Sequence, residues 1–227
     1  MYYFNCKGFE KYYISSVLLF KRTRKEKMNQ KPFVLWFTGL PKSGKTEIAE
    51  IVKILLQQHN IQVELIDSGK IRSTPLGATL GFSKEDRETN VRRHAVAANL
   101  LLKNGVLPIV SAISPYREIR NSIRKELPNY IEIYVNTPKE FCIARDTSGT
   151  WQKAIQGEIS NFTGVSDPYQ EPLQPELTLS IVENSAVICA QFVINYLFEQ
   201  DYLRRNTGSY ESKDLLDSLS KLGYMED

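Results

Sequence analysis

The chain has little cysteine: Cys6, Cys142 and Cys189 in 227 residues, widely spaced and without a C-x-x-C pair. That excludes a disulfide scaffold and a structural zinc site, and it fits a reducing compartment, so a cytoplasmic location is expected. No apolar run approaches the roughly 20 residues needed to cross a bilayer. The longest near the N-terminus, Tyr12 to Phe20, falls far short. With 42 % apolar and 24 % charged residues, 12 glycines and 10 prolines, the composition also excludes collagen-like and disordered chains. What remains is a soluble globular protein of one ordinary domain with short extra ends.

The net charge of +3 is unevenly spread. Residues 1–31 carry eight Lys/Arg against two Glu, a net +6, whereas the rest carries 21 Lys/Arg against 24 Asp/Glu, a net −3. The body is therefore not a basic nucleic-acid binder, and no nucleic-acid partner is expected. In the N-terminal segment an apolar stretch precedes the cluster KRTRKEK, the reverse of a secretory signal. Membrane association is not expected. The segment reads as a basic extension that is either disordered or untranslated, with Met28 a candidate start just ahead of the first strong strand.

From residue 32 to about 200, apolar runs alternate with helical spacing. Strands are expected at Phe33–Gly39, Gln62–Ile66, Val106–Ile113, Tyr130–Val135 and Leu177–Val182. Helices are expected at Lys45–Gln58, at Lys84–Lys103 with Ser83 as N-cap and Gly105 past its end, at Tyr116–Leu127, from Pro138 onward, and at Ala186–Phe198. Such alternation predicts an α/β fold of three layers with a mostly parallel five-stranded sheet. Residues 146–176 are rich in Gly, Pro, Ser, Thr and Gln and read as a lid loop. Residues 201–227 form a polar tail, where Leu215, Leu216, Leu219 and Leu222 suggest a short docking helix.

Gly39-Leu40-Pro41-Lys42-Ser43-Gly44-Lys45-Thr46 fits G-x-x-x-x-G-K-[ST] between a predicted strand and a predicted helix. Glycines let backbone N–H groups turn toward phosphate oxygens at a helix N-terminus, Lys45 neutralises β/γ-phosphate charge, and the Thr46 hydroxyl can ligate Mg²⁺. The loop predicts ATP and Mg²⁺ but not the reaction, since motors, GTPases and small-molecule kinases share it. No N-K-x-D motif reads guanine, and no apolar run ends in Asp-Glu, so a small-molecule kinase is favoured.

Four further segments narrow this reading: GFSKEDRETNVRR at 81–93, ISPYR at 113–117, CIARD at 142–146, and KAIQGEISNFTG at 153–164 followed by Asp167-Pro168-Tyr169. With WFTGLPKSGKT, and in this order, they resemble the adenylyl-sulfate kinase (APS kinase) family over about residues 33–198. The resemblance implies a P-loop NTPase fold and ATP-dependent phosphorylation of the 3′-hydroxyl of adenosine 5′-phosphosulfate (APS) in sulfate assimilation. It also implies Mg²⁺ and a homodimer. Gly39, Leu40, Pro41, Lys42, Ser43, Gly44, Lys45, Thr46 and Arg145 then fall at ATP, with Thr46 on the metal. Arg72, Arg87, Asn90, Ile113, Ser114, Pro115, Lys153 and Phe162 fall at the acceptor, where two guanidinium groups suit a phosphosulfate and Phe162 would stack on adenine. Lys45, Asp67 and Ser114 are the expected catalytic residues.

Taken locally, several of these residues have plainer readings. Arg87, Arg92 and Arg93 read as a solvated helix face, Phe162 as a loop anchor, His94 as structural, and His59 as exposed. The chain also departs from the family. Asp67-Ser68-Gly69-Lys70 stands where Asp-Gly-Asp-Asn is usual, Ile155 where Arg is usual, and Pro41-Lys42 where small residues are common. An activity weakened by the missing second carboxylate, a kinase for another nucleotide-linked or sugar acceptor, and a non-catalytic nucleotide binder are the open alternatives.

Overall fold

The computed structural model describes residues 31–204 apart from 76 and 78. The basic N-terminal extension and the docking helix suggested by Leu215, Leu216, Leu219 and Leu222 therefore lie outside the described residues. β1 (Val34–Thr38) leads through the glycine-containing loop into α1 (Lys45–Gln58), and β2 (Val63–Asp67) runs directly into the short α2 (Ser68–Arg72). Then follow α3 (Lys84–Lys103), β3 (Leu107–Ser111), α4 (Arg117–Glu126) and β4 (Tyr130–Val135). The chain closes with α5 (Lys139–Ala144), α6 (Thr150–Ile155), β5 (Leu177–Leu179) and α7 (Ala186–Glu199).

The strands lie in the order β2-β3-β1-β4-β5, all parallel. β1 is central and buried at every position, which is why it is continuously apolar. Phe33, Leu35 and Phe37 face α1 and α7, where Ile48, Val52, Leu56, Val193 and Leu197 complete one core. Val34 and Trp36 face α3 and α4, joining Val91, Ala98, Ile119 and Ile123 in the other. The period of two in the strand thus builds two cores from one run of residues.

Ser83 caps α3 as its sequence suggests, its Oγ accepting from Asp86 N at 3.1 Å, and Gly105 follows the helix with φ 75°. Some expectations need correction. The fifth strand stops at Leu179 rather than Val182, because residues 181–183 turn toward the Ser185 cap of α7. The third is Leu107–Ser111 rather than Val106–Ile113. The lid is not simply a polar loop. It contains α6, anchored by Trp151, which is 1 % exposed. His59 is half-buried, edge-on to Phe198 with centroids 5.4 Å apart.

One buried ion pair ties the second core to the loops above it. Arg120 on α4 and Glu132 on β4 are 1 % and 4 % exposed, with Nε and Oε1 at 2.8 Å. Arg120 also donates through Nη1 to the Ser114 carbonyl at 2.6 Å and through Nη2 to the Gln170 carbonyl at 2.5 Å. Its guanidinium lies 5.7 Å from the Tyr169 ring centroid. Arg124 pairs with Glu132 at 3.2 Å and with Glu176, whose Oε2 accepts from the Glu132 backbone N–H at 2.6 Å.

Removing one member of a buried pair strands the other charge, a loss of about 3–5 kcal/mol. Arg120→Met is therefore expected to lose about that much stability in urea denaturation, and Arg120→Met/Glu132→Leu to recover at least half of it. A single variant as stable as wild type would show that this pair does not hold the fold.

Candidate active site

The loop between β1 and α1 takes its shape from its glycines. Gly39 has φ 149°, and a Cβ there would sit 2.6 Å from the Val135 carbonyl oxygen of the neighbouring strand. Gly44, with φ 97°, caps α1, so the positive end of a 14-residue helix opens at this loop. Lys45 folds back over the loop and donates to the carbonyls of Gly39 at 3.0 Å and Leu40 at 2.6 Å and to Ser43 Oγ at 3.2 Å. Burial pulls its ammonium down from 10.5 to about 8, with Cys142 and then Asp67 opposing that shift. Residues 42–47 and Arg145 enclose a cavity of about 260 Å³. Across it Arg145 Nη2 meets Glu47 Oε2 at 2.5 Å.

A second cavity, of about 380 Å³, opens beside the first along the C-terminal ends of the strands, the position that open parallel sheets use for ligands. Asp67, the last residue of β2, caps α2, its Oδ1 accepting from Gly69 N at 2.7 Å and Lys70 N at 3.1 Å. It is the only carboxylate among the residues lining this cavity. Thr46 Oγ1 and Ser111 Oγ meet at 2.9 Å on the floor. Arg72, Phe82, Arg87 and Asn90 line the opposite side. The Phe82 ring spaces the guanidinium groups of Arg72 and Arg87, at 4.4 and 5.6 Å from its centroid. Burial lowers the pKa of both arginines, with Arg87 adding to the effect on Arg72. Asn90 Nδ2 reaches Ser68 Oγ at 3.0 Å.

Ile113, Ser114 and Pro115 form the remaining wall. Ser114 sits at φ 46°, a left-handed conformation uncommon outside glycine. Its Oγ accepts from Trp36 Nε1 at 3.0 Å, while Thr38 Oγ1 donates to the Ile113 carbonyl at 2.7 Å. Ser114 is 2 % exposed and is held in the wall by Trp36. Accepting from Trp36 leaves its O–H proton free to donate, so the catalytic role expected for it stays open.

The lid begins at Asp146. Its Oδ2 accepts from Trp151 N at 2.7 Å, and its Oδ1 faces Ser148 and Lys42, the latter at 3.3 Å. The Ser148 hydroxyl, the Trp151 N–H and Lys42 hold this carboxyl near 2, overcoming the upward pull of desolvation. Trp151 Nε1 donates to the Pro41 carbonyl at 3.2 Å, fixing the lid on the phosphate loop. Phe162 packs edge-on against Trp151 with centroids 4.9 Å apart, the loop-anchor reading of that residue. Lys153 is exposed. Neither Phe162 nor Lys153 is among the residues lining the two cavities. Arg87 is buried rather than part of a solvated face: its Nη2 donates to the Asn161 carbonyl and its Nε lies 3.5 Å from Asp167 Oδ2. Arg92 and Arg93 are exposed. His94 is buried and held down to about 4 by desolvation, helped by Arg72 and opposed by Asp67.

Ser68, Phe82 and Ser111 line the second cavity and Asp146 and Trp151 hold the lid to the phosphate loop, and all five escape sequence reasoning. The signals for them were slight: an aromatic beside an arginine-bearing helix start, a tryptophan in a polar stretch, and an Asp-x-Ser turn.

Lys45 is charged below about pH 8 and neutral above it. A bound phosphate favours the charged form, so nucleotide binding should take up protons increasingly between pH 7.5 and 8.5, reaching roughly three quarters of a proton at the upper value. Calorimetry in buffers of different ionisation enthalpy checks this, and an uptake that stays flat over the interval contradicts it.

The comparisons agree with this geometry. The adenylylsulphate kinase family profile matches residues 31–180. The adenylyl-sulfate kinase of Rippkaea orientalis is 47 % identical over 150 residues, 66 % of this chain and 82 % of that protein. That of Halothermothrix orenii is 43 % identical over 175 residues, 77 % of this chain and 94 % of that protein. The structure of the Mycobacterium tuberculosis APS kinase in complex with AMPPNP and APS is 39 % identical, with a TM-score of 0.70. It covers 74 % of this chain and 98 % of its own. A parallel sheet carrying a phosphate loop, an arginine-lined second cavity and matches of this extent lead to one conclusion: the chain belongs to the adenylyl-sulfate kinase family.

Proposed function

We propose that this chain transfers the γ-phosphoryl group of ATP to the 3′-hydroxyl of adenosine 5′-phosphosulfate, making 3′-phosphoadenosine 5′-phosphosulfate (PAPS) for sulfate assimilation. The carrying observation is that the phosphate-loop cavity and the cavity of Arg72 and Arg87 meet at Lys45 and Thr46. One cavity suits a triphosphate and the other an anionic acceptor, so a phosphoryl group crosses from one to the other without entering bulk water. The new bond joins the acceptor oxygen to the γ-phosphorus, the bond from that phosphorus to the β–γ bridging oxygen breaks, and ADP leaves. The hydroxyl proton passes to the Asp67 carboxylate, directly or through a water.

Lys45 neutralises charge on the phosphates, and the α1 N-terminus adds to it. Arg72 and Arg87 orient the phosphosulfate, each already fixed by loop carbonyls: Arg72 by those of Leu80 and Gly81, Arg87 by those of Phe82 and Asn161. Thr46, Ser111 and Asp67 present hard oxygen donors in one cavity. No group of three or more His, Cys, Asp or Glu forms a metal cage among the described residues. That fits an ion shared with phosphates. Thr46 would hold a magnesium ion, which when bound would supply charge neutralisation at the phosphates.

A homodimer belongs to the same proposal and rests on the family resemblance. So does a cytoplasmic location, supported by the free, buried thiols of Cys142 and Cys189. Among the described residues no helix is long and apolar enough to cross a membrane.

With ATP, Mg²⁺ and APS, the protein is expected to yield PAPS, identified by mass spectrometry. Lys45→Ala should reduce the rate by about 10²-fold or more. Absence of PAPS from wild type overturns the proposal. A second carboxylate should assist proton removal, so Gly69→Asp is expected to raise kcat about tenfold. The position has room for it, since a Cβ at Gly69 would lie 3.2 Å from Asp67 Oδ1, a contact that a small shift of Asp67 relieves. An unchanged kcat would show that Asp67 alone suffices, and a lower one that the added side chain displaces it.

A further inference from the structure

Three residues line both cavities: Lys42, Lys45 and Thr46. The transferring group must pass between them. Lys45 and Thr46 are phosphate-loop machinery, but Lys42 is a second lysine at the same junction. We infer that the Lys42 ammonium contacts the γ-phosphoryl group during transfer and makes the site selective for a triphosphate over a diphosphate. This inference rests on the kinase reading above.

The local geometry supports it. Lys42 occupies a left-handed backbone position, φ 66°, at the apex of the loop. A non-glycine residue is unfavourable there, so its side chain is tolerated against a backbone cost. Its side chain is 40 % exposed, and the ion pair described for it is with Asp146, whose side chain is 2 % exposed. The lysine end of the pair is open to solvent, so its ammonium can leave the carboxylate for water or an anionic ligand.

Asp146 does not depend on it. Its Oδ2 is held by Trp151 N and its Oδ1 by Ser148 N, so the carboxylate stays satisfied when Lys42 turns away. A flexible four-carbon stem with a compact charge is suited to that exchange. The charge balance points the same way. The acceptor cavity has Asp67 as its one lining carboxylate, and part of that carboxylate is committed to capping α2. Charge on the moving phosphoryl group is thus met mainly by cations, and Lys42 is placed to face it from the loop side.

The test compares wild type with Lys42→Gly and Lys42→Arg. Glycine removes the charge while suiting the left-handed backbone. Should Lys42→Gly fail to fold, Lys42→Asn is the neutral replacement that also tolerates this conformation. Titrations with AMPPNP and with ADP, followed by tryptophan fluorescence, should show AMPPNP affinity falling about tenfold in the neutral variant and ADP affinity changing less than about twofold. Lys42→Arg should keep the wild-type ratio. In the PAPS assay the neutral variant should lose about tenfold in kcat with little change in the KM for APS.

Asp146→Asn separates contact from latch. If Lys42 serves only to latch the lid, this variant loses triphosphate selectivity as well; under the inference it retains it. Equal effects on AMPPNP and ADP, or loss of selectivity in Asp146→Asn, overturn the inference. Failure of wild type to make PAPS overturns the kinase reading instead, while the binding ratios still decide whether Lys42 reads the third phosphate.

Discussion

The site depends on a charge buried where charges are costly. Arg120 lies beneath the sheet's C-terminal edge, and Glu132 on β4 compensates it. Two of its guanidinium nitrogens are spent on backbone carbonyls of two different loops: Ser114 on the acceptor wall and Gln170 where the lid returns to the core. Both segments are irregular, and neither has a ladder of its own to satisfy those carbonyls. One planar, multi-donor side chain fixes both to the same strand. The left-handed Ser114 persists because Arg120 and Trp36 hold it from two sides.

The lid and the phosphate loop share a comparable economy. Trp151 fills space beside Leu40 and Gly164, and its indole N–H satisfies the Pro41 carbonyl. Asp146 orders the start of α6 through Trp151 N and reaches Lys42 with its other oxygen. Arg87 ties the other end of the lid to α3 through Asn161 and Asp167. The phosphate loop, α3 and the lid are therefore joined by side chains that each reach across to another segment.

How much of this was legible follows from how local each signal is. The phosphate loop was legible because the strand, the glycines and the helix lie within a dozen residues. The sheet was legible because strands with both faces covered are mostly apolar, as β1 is throughout and β4 is apart from Glu132. Arg120 was not, because REIRNSIRKE reads as an amphipathic helix with a charged outer face, and its partner Glu132 lies on another element. The burial of Arg87 was not legible locally, since it depends on the Asn161 carbonyl 74 residues away. Trp151 was missed and Phe162 was ambiguous because an aromatic in a polar stretch carries no periodicity. The packing puts Phe162 edge-on against Trp151. The early stop of β5 was set by the turn into α7, which apolar composition does not reveal.

The short α2 has no buried residue, and it hangs from the outermost strand of the sheet. Ser68, Gly69 and Lys70 can therefore change without opening a hole in either core. The acceptor side of the enzyme is exposed to evolutionary drift in a way that the phosphate loop, wedged against β4 at Gly39, is not. A lineage could retune which alcohol it phosphorylates by substitutions on this one helical turn, at almost no cost to folding, while the means of holding the nucleotide stays constrained by the centre of the sheet.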